Sequence, residues 1–81
     1  MTIRVRLNQT AVLRAIARRN MSQNMLAIRV GISSGYISQL MCGTRSPSPE
    51  VREKFQGVLN PLVFDDIFII EESVNDDSQN R

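Results

Sequence analysis

The side chains able to carry chemistry are unevenly placed along this chain. From Met1 to Pro49 there are seven arginines (Arg4, Arg6, Arg14, Arg18, Arg19, Arg29 and Arg45) and no carboxylate, a charge of +7. From Glu50 to Arg81, eight acidic residues against three basic ones give −5, so the net +2 hides a basic part and an acidic part. Guanidinium groups with no carboxylate nearby in sequence are suited to phosphate oxygens, which they meet with paired N–H donors. The acidic part should face away from such a ligand.

Other chemistry is poorly supplied. Cys42 is the one cysteine and histidine is absent. That excludes an intrachain disulfide, a zinc finger, a Cys-His nucleophile and the common imidazole metal sites. The paired carboxylates Asp65-Asp66, Glu71-Glu72 and Asp76-Asp77 read as a solvated acidic face or tail, since nothing near them supplies a convergent polar pocket. No catalytic residue, cofactor or metal site is expected.

Eighty-one residues make one small domain, so nearly every long apolar side chain is needed for the core. The chain is organised around Met21 to Gly43, MSQNMLAIRVGISSGYISQLMCG. Ser22 suits an N-cap for a helix from Gln23, with Met25, Leu26, Ala27 and Val30 as its apolar stripe. Gly31 ends that helix where a left-handed backbone is needed. Ile32 plugs the turn, and Ser33 caps a second helix whose Ile37, Leu40 and Met41 fall at core spacing before Gly43 stops it.

The flanking segments have their own signals. Ile3, Val5 and Leu7 alternate with Arg4 and Arg6, a strand pattern. Asn8 or Thr10 can cap a first helix with Val12, Leu13, Ile16 and Ala17 inward and Arg14, Arg18 and Arg19 outward, ending near Asn20. After a loop from Thr44, Ser48 and Pro49 open a helix over PEVREKFQGVL, with Glu50 favourable to its dipole and Val51, Phe55, Val58 and Leu59 inward. Asn60-Pro61 ends it. LVFDDIFIIEE reads as a turn of helix capped by Asp65 passing into a strand, and the residues from Ser73 onward read as a disordered polar tail. No apolar run approaches the length of a membrane span and the start lacks a signal-peptide pattern, so a cytoplasmic location is expected.

A helix, a glycine turn and a second helix, with small Ala27 allowing a close crossing, is a helix-turn-helix arrangement. The pattern SQxxLAxxVGISxGYISQLxxGxRxPS, from Ser22 to Ser48, resembles the phage-repressor and Cro family, the xenobiotic-response-element type of helix-turn-helix. The resemblance extends from the first helix to about Ile67. It implies an all-α fold: a compact bundle of four to five helices, to which a small two-stranded antiparallel sheet could join the N- and C-terminal segments. Residues 1–72 would be the DNA-binding domain, with the motif at about 22–43, and residues 73–81 the tail. The function implied is that of a sequence-specific, double-stranded DNA-binding transcriptional regulator, a repressor, with the helix from about Ser33 in the major groove. Carried over from the family, Ser34, Gly35, Tyr36, Ser38 and Gln39 are the base-contact positions and Gln23, Asn24, Thr44 and Arg45 the phosphate-contact positions.

Many family members pair an arginine in the first helix with a glutamate near the end of the recognition helix; here those positions are Ile16 and Met41. An ion pair exchanged at both ends for apolar residues keeps the fold, whereas changing one end leaves a buried charge. Strand pairing between Ile3–Leu7 and a segment within Ile67–Glu72, with Arg4 or Arg6 facing Glu71 or Glu72, would leave open edges. A second copy, meeting exposed residues among Phe68, Ile69 and Ile70, would then give a homodimer on a palindromic operator. The alternative is an antitoxin-like protein-interaction module whose C-terminal apolar and acidic segment holds a partner protein.

Overall fold

A computed structural model describes residues 2–73 of the chain. In chain order they form β1 (Thr2–Leu7), α1 (Gln9–Arg18), α2 (Gln23–Val30), α3 (Ser34–Cys42), α4 (Pro49–Val58), α5 (Phe64–Ile67) and β2 (Phe68–Ser73). The helical bundle and its small sheet match the expected fold class. The expected polar tail falls, from Val74 onward, outside the described residues.

Local side-chain chemistry starts the four longer helices. Asn8, rather than Thr10, caps α1: its side-chain oxygen accepts the Ala11 N–H at 3.2 Å. Ser22, Ser33 and Ser48 accept the N–H groups of Met25, Tyr36 and Val51 at 3.0, 3.0 and 3.3 Å. Each bond satisfies one of the donors that a helix start leaves without an intrahelical partner. Gly31 and Gly43 end α2 and α3 with φ of 87° and 83°, and Asn20 takes φ 54° after α1. The fifth helix departs from expectation. It begins two residues earlier than a cap at Asp65 would put it, because the Asp66 carboxylate, not that of Asp65, reaches back to accept the Val63 N–H at 2.9 Å.

The core is one cluster. Val12, Ala15 and Ile16 of α1 meet Leu26, Ala27 and Val30 of α2, and Ile37, Leu40 and Met41 of α3 close over them together with Phe55 and Leu59. Three residues expected inside are exposed: Leu13 (43%), Met25 (41%) and Ala17. The reason is angular. At about 100° per residue, Val12, Ala15 and Ile16 define a face from which Leu13 and Ala17 point well away, and Met25 points nearly opposite the Leu26-Ala27-Val30 face.

β1 and β2 pair antiparallel, Leu7 opposite Phe68, Val5 opposite Ile70 and Arg4 opposite Glu71. The Asn8 N–H donates to the Ile67 carbonyl at 2.8 Å, so the strands are anchored where α1 begins and α5 ends. Phe68, expected among the residues free for a partner, is instead core: it is buried, edge-on to Phe55 at 6.2 Å and tilted against Phe64 at 5.0 Å. Toward the far end of the ladder the same apolar face emerges, with Ile3 63% and Ile70 52% exposed. The cross-strand ion pair forms diagonally, Arg6 Nε to Glu71 Oε2 at 2.7 Å, while Arg4 turns elsewhere. Among the described residues no helix is long and apolar enough to cross a membrane.

Candidate nucleic-acid interface

Burial of Ile37, Leu40 and Met41 dictates what α3 shows to solvent. The helical period places Gly35, Ser38, Gln39 and Cys42 on the opposite side, with Ser34 beside them, and all five are exposed. Tyr36 lies at the border and is half-buried. The expected base-contact residues therefore share one surface, flanked by the tyrosine.

Hydrogen bonding sets what each group can still offer. The Ser38 hydroxyl donates to the Ser34 carbonyl at 2.9 Å, which uses its one proton and leaves its lone pairs free to accept. Ser34 and Gly35 occupy the first turn of α3. The Ser33 side chain takes the Tyr36 N–H and its carbonyl the Ile37 N–H, leaving the first two helical N–H groups without an acceptor in the helix. A Cβ built on Gly35 would meet nothing within 4 Å, so that stretch of backbone is open to approach.

The turn after α3 folds back along the helix. The N–H groups of Thr44 and Arg45 both donate to the Gln39 carbonyl, at 3.0 and 3.3 Å, and the Thr44 hydroxyl donates to it at 3.2 Å. The Arg45 guanidinium lies 5.1 Å from the centre of the Tyr36 ring and donates weakly to Gln39 Oε1 at 3.4 Å. Tyr36, Gln39, Thr44 and Arg45 are thus one connected group, although base and phosphate roles separate them in the sequence reading. Gln39 Oε1 retains a lone pair for a base edge.

Gln23 and Asn24 stand on a different element, the first turn of α2. Ser22 accepts the Met25 N–H through its side chain and the Leu26 N–H through its carbonyl, so the N–H groups of Gln23 and Asn24 have no acceptor in the helix. That end carries the positive pole of the helix dipole.

Two residues at this surface were not among the contact positions expected from the sequence. Cys42 lies on the exposed α3 surface, and the Thr44 hydroxyl and N–H beside it hold its thiol below the ordinary value. Helical phase alone, counted from Gly35 and Gln39, would have placed it there. Arg4 reaches from β1 to the turn after α3, donating to Ser46 Oγ at 2.9 Å and to the Gly43 carbonyl. No local signal marks a contact between residues about forty positions apart.

Comparison with known families agrees with this geometry. The family model described as helix-turn-helix, of the Cro/C1, phage-repressor-like type, matches residues 12–60, from α1 to just past α4. The chain belongs to this family of DNA-binding regulators. No curated protein and no solved structure matches it.

Proposed function

We propose that this protein is a sequence-specific repressor that inserts α3 into the major groove of double-stranded DNA. Ser34, Gly35, Tyr36, Ser38 and Gln39 face the bases, and Gln23, Asn24, Thr44 and Arg45 hold the phosphates. The observation that carries the reading is the exposed surface of α3, made of small and hydrogen-bonding side chains and bordered by the basic turn after it. Gln39 is the main reader, since a carboxamide can meet an adenine edge with both its acceptor and its donor. Ser38, its proton already committed, favours bases that offer a donor. Repression follows from occupancy of a site that the transcription machinery needs.

The reading includes a homodimer. The two-stranded sheet has an unpaired edge on each strand and exposed Ile3 and Ile70 on one face, and a second copy related by a twofold axis would cover an edge and these side chains. Two copies of α3 would then address a palindrome with half-sites about one helical turn apart, roughly 34 Å. Residues 1–72 are the unit that binds, and the cytoplasm, where its DNA lies, is where it acts.

Selection of bound sites from a random duplex pool tests the whole reading, with a palindromic motif as the expected result. Against that site Gln39→Ala should lose about 1–3 kcal/mol while random-sequence affinity stays nearly unchanged. Arg45→Ala should weaken both and flatten the salt dependence. Recovery of no motif, or equal losses on both DNAs for Gln39→Ala, contradicts the proposal. Sedimentation equilibrium showing a monomer that binds half-sites as tightly as paired sites would remove the dimer.

A further inference from the structure

We propose that Arg4 is a positioning residue for DNA binding: from the sheet, it clips the turn that follows α3 and so holds Thr44 and Arg45 in place. The inference rests on the reading of α3 and its turn as the DNA-binding surface. It begins with an arginine that does not take its nearest partner. Arg4 lies directly across the ladder from Glu71, yet Glu71 pairs with Arg6, and the Arg4 side chain turns toward α3.

There its Nε donates to Ser46 Oγ at 2.9 Å and its Nη2 donates to the Gly43 carbonyl. These acceptors bracket the turn, one just before Thr44 and one just after Arg45. The first is the carbonyl of the residue that ends α3 in the left-handed conformation, at the negative pole of that helix, where a cation is favoured. A guanidinium can hold both because its donors form a rigid fork, whereas a lysine ammonium is a single point on a flexible stem.

Between the two anchors, the other bonds of Thr44 and Arg45 all run to α3 itself, to Tyr36, Gln39 and Cys42. Both are exposed, and their backbone N–H groups share one acceptor, the Gln39 carbonyl. With the fork removed, this turn keeps its bonds to α3 but loses its side-chain tie to the sheet. Phosphate contacts made from it would then have to order the turn on binding, which lowers affinity without removing any contacting group.

The test compares Arg4→Lys, which keeps the charge and removes the fork, with Ser46→Ala, which removes one anchor from the other side. Arg6→Lys, on the same sheet face, is the control. Two quantities are measured on the full chain: amide exchange at Thr44 and Arg45 in the free protein, and affinity for a random-sequence duplex and for a duplex recovered by selection.

Arg4→Lys should keep a cooperative fold, exchange at Thr44 and Arg45 about tenfold faster, and bind both duplexes about tenfold more weakly. Ser46→Ala should shift both readouts in the same direction by less, and Arg6→Lys should shift neither. The loss from Arg4→Lys should be clearly smaller in an Arg45→Ala background, because Arg4 acts through Thr44 and Arg45 and not on DNA. Wild-type affinity in Arg4→Lys, or a loss that adds in full to Arg45→Ala, overturns the proposal. If the unaltered chain binds no duplex, the DNA-binding reading fails, and the exchange rates alone decide whether the clip exists: unchanged rates in both Arg4→Lys and Ser46→Ala rule it out.

Discussion

Gly35 sits in the first turn of α3, in a helix that would be more stable without it. A Cβ there meets nothing within 4 Å, and alanine is favoured over glycine in a helix by up to about 1 kcal/mol. On the surface of α3 proposed to face DNA, the missing Cβ leaves room for an approaching base or sugar. Gly35→Ala is therefore expected to raise the melting temperature while weakening binding to the selected duplex. Gly57→Ala in α4, equally open, should raise it with no effect on binding. Undiminished affinity in Gly35→Ala would take that position out of the interface. Seven residues further along α3, the Cys42 thiol is held low chiefly by the Thr44 hydroxyl, then by the Thr44 N–H. A lowered value means more thiolate at a given pH, and the thiolate is the nucleophile. Alkylation of Cys42 should therefore titrate lower than that of a free cysteine, and Thr44→Val should move the midpoint upward; an identical midpoint in that variant counts against the Thr44 contact.

At the scale of elements, the serine caps and glycine stops were legible because each acts within four residues of itself. The ends of α1 and α4 are joined by a contact that was not. Arg19, expected to point outward, donates through Nη1 to the Ala15 carbonyl and through Nη2 to the carbonyls of Leu59 and Asn60, all at 3.0 Å. It thereby satisfies carbonyls beyond α4, just before and at the Asn60-Pro61 peptide. Hydrogen bonds from a charged donor are worth about 1.5–3 kcal/mol, so Arg19→Ala should destabilise the fold by roughly 2 kcal/mol in chemical denaturation. Arg14→Ala, on an exposed position of the same helix, should stay within about 0.5 kcal/mol. Equal effects of the two would mean that Arg19 is only another surface charge.

At the scale of the whole molecule, Ile16 and Met41 are 4% and 5% exposed and belong to one core cluster that joins α1 to α3. Both ends of the family's interior ion pair are thus apolar and buried here. Met41→Glu alone should cost about 3 kcal/mol or more through an unpaired buried charge, and adding Ile16→Arg should recover part of it. Stability of the double variant no better than the sum of the single losses would show that the two side chains do not meet. The sheet works at this scale too. The Arg6–Glu71 ion pair, half-exposed, contributes at most about 1 kcal/mol, so the burial of Leu7 and Phe68 does more to hold the two strands together.

The sequence by itself did not decide the cap of α5 or the choice between Asn8 and Thr10. It did determine the order and type of the elements, the residues that start α2, α3 and α4, the glycines that stop α2 and α3, and the surface of α3 that faces outward. Each of these follows from interactions within a turn or two of the chain: a side-chain cap, a glycine in the left-handed region, a periodic apolar face. Only the tertiary structure decided that Met25 and Leu13 are exposed, because burial depends on which side of a helix its neighbours lie. It alone paired Arg6 with Glu71 and sent Arg4 to Ser46 and Arg19 to Leu59. Long, flexible guanidinium side chains take whichever acceptors packing brings within reach, and those acceptors lie about forty or more residues away in sequence. Their charge was legible in the sequence, but their partners were not.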